Sequence, residues 1–303
     1  MKLLEDLCKI HAPSGEENKI NEYLIKYINN NKENWKVQPK IYSGKGFQDS
    51  IILSFGNPRT AIFAHIDSIG FTVGYKNEII KIGGPVIDQG IILVGKDNIG
   101  EIEGSLININ NKLYIDFNRD IERGTSLTFK INFRETETHI QTSYLDNRLG
   151  VWNALKVAED LENGIIVFSC WEEHGGGSVG YLSKFIFEKY NIHQALISDI
   201  TWITDGIIDG HGVVISLRDS GIPRKTYVNR IIKIAKNSKI EFQLEVERAG
   251  GSDGNEIQKS PYPIDWCFIG AAESNVHSPN EKVNKKDIES MVKLYVLLMK
   301  ELI

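Results

Sequence analysis

Hydrophobic positions change their period along this chain. After Pro13-Ser14-Gly15, the residues Ile20, Tyr23, Leu24, Tyr27 and Ile28 recur at i, i+3, i+4 spacing, which predicts an amphipathic helix. Ser14 and Glu17 stand at capping-box spacing and predict where it starts. The unbroken apolar runs 51–55 and 61–64 predict buried strands. From about 75 to 143 the helical period vanishes. Glycines punctuate short alternating stretches there, such as Leu113, Ile115, Phe117 and Leu127, Phe129, Ile131, Phe133, the period-2 mark of half-buried antiparallel strands. Beyond Asp146 helix and buried strand alternate: helix 149–161, strand 165–171, helix 179–190, strand 195–198, and helices 225–236 and 288–302. The economical reading is one α/β domain made of residues 1–74 and 143–303, interrupted by a small β domain, 75–142, of ordinary size.

Composition narrows the function classes. Hydrophobic residues make up 41% and charged residues 25% of the 303, near the globular average, which excludes a disordered, collagen-like or coiled-coil chain. Lys plus Arg number 35 against 40 Asp plus Glu, a net charge of −5 that argues against nucleic acid as a partner. Apolar runs such as 165–170 fall far short of the roughly 18 residues a membrane span needs. Glu5 and Asp6 lie where a signal peptide would be apolar, so the expected location is cytoplasmic, with no membrane partner. Cys8, Cys170 and Cys267 are scattered and odd in number, and predict small buried hydrophobes rather than a disulfide framework or a thiolate zinc site.

The candidate chemistry sits at the ends of the buried strands. His65 and Asp67 are two apart at the close of one strand and can share a side. Asp146 stands just ahead of a helix, Glu172-Glu173 follow the strand ending at Trp171, Asp199 follows Leu196-Ile197-Ser198, and His277 lies beyond the run 266–269. Ligands bind beyond the carboxyl ends of strands in open α/β sheets, so these groups are expected to converge. Several carboxylates in one cleft repel each other unless cations compensate. With Asp146 bridging two divalent ions, His65 and Asp199 complete three protein ligands on one, and Glu173 and His277 complete three on the other. Three ligands leave a position open, as in catalytic sites. A water between two such ions becomes hydroxide near neutral pH, with Glu172 as the general base and Asp67 orienting the His65 ring through its other nitrogen. The mixed imidazole and carboxylate set suits zinc, cobalt or manganese.

Rival readings concern one glycine-rich stretch. Gly176-Gly177-Ser178-Val179-Gly180 matches a GxSxG nucleophile elbow, and Asp199 and His277 follow in the order of α/β serine hydrolases; yet Ser178 stands seven residues past Trp171, whereas an elbow serine sits directly at the strand end. Gly175-x-Gly177-x-x-Gly180 also fits a dinucleotide fingerprint, but Glu172 and Glu173 would face the pyrophosphate. Ser178 is instead expected to cap the helix that follows. A two-carboxylate glycosidase would need neither His65 nor His277.

Pro13-Ser14-Gly15-x-Glu17, Ala64-His65-x-Asp67-x-Ile69-Gly70-Phe71, Leu145-Asp146-Asn147-Arg148, Glu172-Glu173, Asp199, Gly250-Gly251-Ser252-Asp253 and Val276-His277-Ser278-Pro279-x-Glu281 together resemble the M42 metallo-aminopeptidases, the relatives of glutamyl and deblocking aminopeptidases. The resemblance spans nearly the whole chain in the family's order. It implies a mixed-sheet, three-layer dinuclear-metal peptidase domain with an inserted barrel-like antiparallel β domain that serves assembly or as a lid. It also implies two divalent ions on His65, Asp146, Glu173, Asp199 and His277, with Glu172 as general base and Asp67 behind His65. The implied activity is removal of N-terminal residues from peptides through a metal-bridging hydroxide, in a homo-oligomer of up to twelve subunits in a tetrahedral particle. The M20 peptidases share the ligand order but carry their extra domain later, whereas here 79 residues separate Asp67 from Asp146. Asn147, where the family has a second Asp, and the added His174 depart from the pattern. The alternatives are a serine hydrolase using Ser178, Asp199 and His277, or a catalytically silent scaffold.

Overall fold

In the computed structural model, which describes residues 1–302, the apolar runs become one large mixed sheet and one small antiparallel one. Neighbouring strands of the large sheet are, in order, Lys40–Gly44, Gln48–Phe55, Gly164–Ser169, Ala61–His65, Gln194–Trp202, Asp265–Ser274, Glu281–Asn284, His139–Thr142 and Arg134–Glu135. Val213–Ser216 joins Asp265–Ser274 from the side and carries Phe242–Glu245 at its edge. The middle is parallel: Ala61–His65 pairs with both Gly164–Ser169 and Gln194–Trp202. These strands are buried on both faces, which is why the sequence shows runs there and not alternation.

Successive strand residues enter opposite helix-covered cores. Ile51, Leu53, Ile62 and Leu196 pack with Leu149, Ile231 and Leu294 of helices Leu145–Asp160, Lys225–Asn237 and Lys285–Glu301. Ile52, Phe63, Val167 and Ile197 pack with Leu182, Ile186 and Ile257 of Val179–Tyr190 and Asp253–Lys259. The result is three layers, helix, sheet, helix. Each fully buried Leu, Ile or Phe contributes about 1.5–3 kcal/mol, so neither face can be left bare.

The small sheet runs Ile79–Ile82, Gly70–Val73, Ser126–Phe129, Ile92–Lys96, Glu101–Ile109, Lys112–Asp116. A bridge between Glu78 and Tyr114 brings its two ends together, so it nearly closes into a barrel around Phe71, Leu93, Leu106, Leu127 and Phe129. Residues 70–73, expected on the α/β side, pair in this sheet, and 134–142, expected within the insertion, pair in the large one.

The capping box at Ser14 does not form. The helix is Asn18–Asn31, because Ser14 and Glu17 are drawn inward: Ser14 Oγ donates to Asp67 Oδ2 at 2.6 Å, and Glu17 accepts from the Gly15 and Trp171 amides. Ser178 is not a side-chain cap either. Its hydroxyl is buried and accepts from Cys170 N at 2.8 Å while donating to Cys170 O at 3.0 Å, so its proton goes to a backbone carbonyl and not to a catalytic base. The three cysteines are free and buried. Among the described residues no helix is long and apolar enough to cross a membrane.

Candidate metal centre

Strand ends supply the site. His65 is the last residue of Ala61–His65, and Asp199 lies six residues into Gln194–Trp202, on the adjacent parallel strand. Asp146 is delivered by the helix Leu145–Asp160, whose first residues are not helical: φ and ψ are −76° and 107° at Asp146 and −119° and 37° at Asn147. The helix itself is pinned to the neighbouring strand. Asn147 Nδ2 donates to Ser198 O at 2.9 Å while its Oδ1 accepts from Gly150 N at 2.9 Å. Gly150 is obligatory at this crossing, because a Cβ there would collide with the Asn147 side chain and with Ser198 O. The departure at position 147 is thus a structural tie, one that a carboxylate could not make because it has no proton to donate.

At the centre Asp146 faces both histidines. Its Oδ1 is 3.2 Å from His65 Nε2 and its Oδ2 is 3.2 Å from His277 Nε2. His65 Nε2 is also 3.6 Å from Asp199 Oδ2 and 3.8 Å from Glu172 Oε2, and His277 Nε2 is 3.3 Å from Glu173 Oε2. His65, Asp146 and Asp199 each offer one ligand atom within 4.8 Å of the others, and so do Asp146, Glu173 and His277. Asp67 stands behind: its Oδ1 is 3.4 Å from His65 Nδ1 and accepts from Glu172 N at 3.1 Å, while its Oδ2 accepts from Glu173 N at 3.1 Å. All seven residues singled out for this site therefore meet.

Three supports carried no assignment from the sequence. Arg148, wholly buried, donates from its guanidinium to the carbonyls of Ile66 and Asp67, holding the His65–Asp67 segment. Glu281 accepts from His277 N at 3.0 Å and Asp146 N at 3.3 Å, joining the two ligands through their backbone. Gly84 O, from the segment that follows the strand Ile79–Ile82, is 3.3 Å from His277 Nδ1. Arg148 and Glu281 stood in the matching motifs without an assigned role, whereas Gly84 stood in none. His174 sits at the same junction, where its Nδ1 accepts from Gly83 N at 3.2 Å.

The electrostatics call for cations. Burial and the charge of Asp146 raise the Glu173 carboxyl, and burial with Glu173 and Asp199 raises Glu172 well above the usual range, although His65 pulls it down. Burial likewise raises Asp199 well above the usual range. Burial disfavours the charged form of His65, yet Asp199, Asp146 and Asp67 outweigh it and raise its pKa well above 6.5. Without another positive charge, the histidines and acids hold protons to neutralise one another. Glu173 Oε1 is buried with no hydrogen-bond partner. Two imidazoles and three carboxylates, one of them Glu173 with its orphaned oxygen, form a donor set that fits two divalent ions. The cavity beside them, about 270 Å³, is lined by Asp146, Glu172, Glu173, Asp199 and His277 among others. A larger cavity of about 1030 Å³, between Lys9, His11 and the small sheet, touches none of them.

Comparison with known proteins agrees with the geometry. The family model for M42 glutamyl aminopeptidase matches residues 97–294. A curated protein of Acetivibrio thermocellus whose name carries the word aminopeptidase is 27% identical over 338 residues, covering 97% of this chain and 96% of that one. Among solved structures, the TET1 peptidase of Pyrococcus horikoshii, described as able to assemble into a tetrahedron or a large octahedral shell, has a TM-score of 0.84 at 22% identity over 98% of each chain. The TET aminopeptidase of the marine sediment archaeon Thaumarchaeota archaeon SCGC AB-539-E09 has a TM-score of 0.87 at 18% identity, covering 100% of this chain and 96% of that one. At these identities the structural likeness establishes the fold.

Proposed function

We propose, from the premise that this chain belongs to the M42 glutamyl aminopeptidase family and is an aminopeptidase, that it hydrolyses the N-terminal peptide bond of peptides at a site holding two divalent ions. His65, Asp146 and Asp199 would hold one, and Asp146, Glu173 and His277 the other. The observation that carries this reading is Asp146, whose two oxygens face two different histidines at 3.2 Å each. Zinc, cobalt or manganese would satisfy the donor set. When bound, such ions supply Lewis acidity, making water more acidic and a carbonyl more electrophilic.

The chain's own residues do the rest. Glu172 lines the cavity and is no member of either ligand group. As general base its carboxylate takes the proton of the attacking water, and as general acid it returns that proton to the leaving amine nitrogen once the C–N bond breaks. Burial raises its carboxyl well above the usual range, which favours a group that must both take and return a proton. Asp67 Oδ1 faces His65 Nδ1 at 3.4 Å, and its charge favours the imidazole proton on that nitrogen, which leaves the Nε2 lone pair for the centre. The same carboxylate fixes the Glu172 and Glu173 backbone, tying base and ligand to one anchor.

The division into residues 1–74 with 143–303 and an insertion 75–142 is proposed as a catalytic domain and an assembly or lid domain. Tyr75, Ile80, Ile99 and Ile109 leave large apolar side chains exposed on the insertion, which supports a homo-oligomer resembling the shells described for the Pyrococcus peptidase.

The reading is tested by assaying aminoacyl p-nitroanilides before and after chelation. Hydrolysis disappears in stripped protein and returns with zinc, cobalt or manganese. Activity that persists without metal contradicts it.

A further inference from the structure

The cavity beside the candidate centre has a second end that the hydrolytic chemistry does not use. Ile200, Trp202 and Phe268 form an apolar wall, and Asp219, Glu245 and Glu247 add three carboxylates. Gly250 and Gly251 line it with bare backbone, so no side chain of the protein fills the space. Glu245 is 3% exposed and Asp219 7%. Neutral groups hold them in place: the Thr201 hydroxyl donates to Glu245, the Thr204 hydroxyl to Glu247, and Gly221 N and the Ser252 hydroxyl to Asp219. None of the three forms an ion pair with Lys, Arg or His among the described residues, and none belongs to a metal-ligand group there.

Position then decides what these acids are for. Thr201, which carries Glu245, is two residues beyond Asp199 on the same strand, so both project to the same side about 7 Å apart. That is the span of a long side chain running from a residue held at the centre. The four carboxylates of the centre are matched by two divalent ions in the reading above, on which this step rests. Asp219, Glu245 and Glu247 form no ion pair, Asp219 and Glu245 are buried and Glu247 is half-buried, and a buried carboxylate with no ion-pair partner is costly. An apolar wall leading to unmatched acids suits a substrate with a methylene stem and a cationic head.

We propose that this cavity receives the side chain of the substrate's first residue, and that Glu245, Glu247 and Asp219 select lysine or arginine there. Glu245 and Glu247 are specificity-determining residues in this account. An acidic first residue, which the family's name would suggest, meets like charge and is rejected.

The test compares lysyl, arginyl, leucyl and glutamyl p-nitroanilides on the metal-loaded protein and on its Glu245→Gln and Glu247→Gln variants. Lysyl and arginyl substrates show kcat/KM about tenfold or more above leucyl, with glutamyl lowest, and each substitution lowers the lysyl-to-leucyl ratio by about tenfold. Preference for leucyl or glutamyl substrates overturns the proposal while leaving the aminopeptidase reading intact. Equal losses on lysyl and leucyl substrates also overturn it, since the acids then serve the amino end or the fold. Should Glu245→Gln not fold, the wild-type panel and the more exposed Glu247→Gln decide. Calorimetric binding of free L-lysine against L-norleucine needs no turnover. If nothing is cleaved but lysine binds about tenfold tighter and Glu247→Gln removes the difference, the pocket assignment stands and the aminopeptidase reading falls; equal binding of the two overturns the assignment.

Discussion

Asp67→Asn exchanges a single atom in a fully buried side chain, and the surrounding hydrogen bonds set the consequence. Asp67 Oδ1 accepts from Glu172 N at 3.1 Å and faces His65 Nδ1 at 3.4 Å; Oδ2 accepts from Glu173 N at 3.1 Å and Ser14 Oγ at 2.6 Å. An amide NH2 placed at Oδ1 points a donor at the Glu172 N–H and forces His65 Nδ1 to accept. The imidazole proton then moves to Nε2, the nitrogen 3.2 Å from Asp146, and that nitrogen can no longer ligate. Placed at Oδ2, the NH2 confronts the Glu173 N–H instead and the charge behind His65 is lost. Either way one buried backbone N–H goes unsatisfied, at a cost of about 1–3 kcal/mol in stability. Loss of a carboxylate behind a ligating histidine weakens metal binding by about 10–100-fold, or about 1.4–2.7 kcal/mol. Titration calorimetry of zinc or cobalt into stripped wild-type and variant protein, with thermal unfolding alongside, measures both. A variant that binds metal within about twofold of wild type refutes the idea that Asp67 orients His65.

Further outcomes follow from the same geometry. Glu172→Gln keeps its metal, read by mass spectrometry, and loses about a hundredfold or more in kcat because the proton carrier is gone; retained turnover contradicts the assigned role. Ser178→Ala stays active in the aminoacyl p-nitroanilide assay but unfolds more easily, by about 1–3 kcal/mol, since Cys170 N loses its acceptor; an inactive, folded variant would revive the serine-hydrolase reading. In metal-free protein burial disfavours the imidazolium forms of His65 and His277, but the facing carboxylates outweigh it and raise both pKa values, which favours the protonated rings. Ligation requires neutral rings. Metal loading therefore releases protons, and apparent affinity falls as pH is lowered. Calorimetry in buffers of different ionisation enthalpy counts the protons, and none released contradicts the assignment of the histidines.

What the sequence made legible follows a physical rule. Runs such as 61–64 and 165–169 report burial on both faces, which places them in the middle of a parallel sheet, and the chemistry-bearing residues just after such runs fall at one edge of it. That is why His65, Asp67, Asp146, Glu172, Glu173, Asp199 and His277 could be singled out before their distances were known. Local signals failed where tertiary partners outbid them. Ser14 and Glu17 read as a helix start, but the one serves Asp67 and the other Trp171, contacts between residues 53 and 154 positions apart. Asn147 read as a lost charge, yet its amide is spent on Ser198 and Gly150. The GxSxG pattern fits the chain locally and fails in space, because both hydrogen bonds of Ser178 go to Cys170. Arg148 stood in a matching motif without a role and Gly84 had no signal, since a role that consists of holding another segment is visible only once both segments are placed.

The central claim is that Asp146 is shared between two ions, and anomalous diffraction from crystals soaked in cobalt or zinc tests it most directly. The account predicts two anomalous peaks about 3.5–4 Å apart, one within bonding distance of His65, Asp199 and an oxygen of Asp146, the other within bonding distance of Glu173, His277 and the second oxygen of Asp146. A single peak, or peaks that Asp146 does not join, would contradict it.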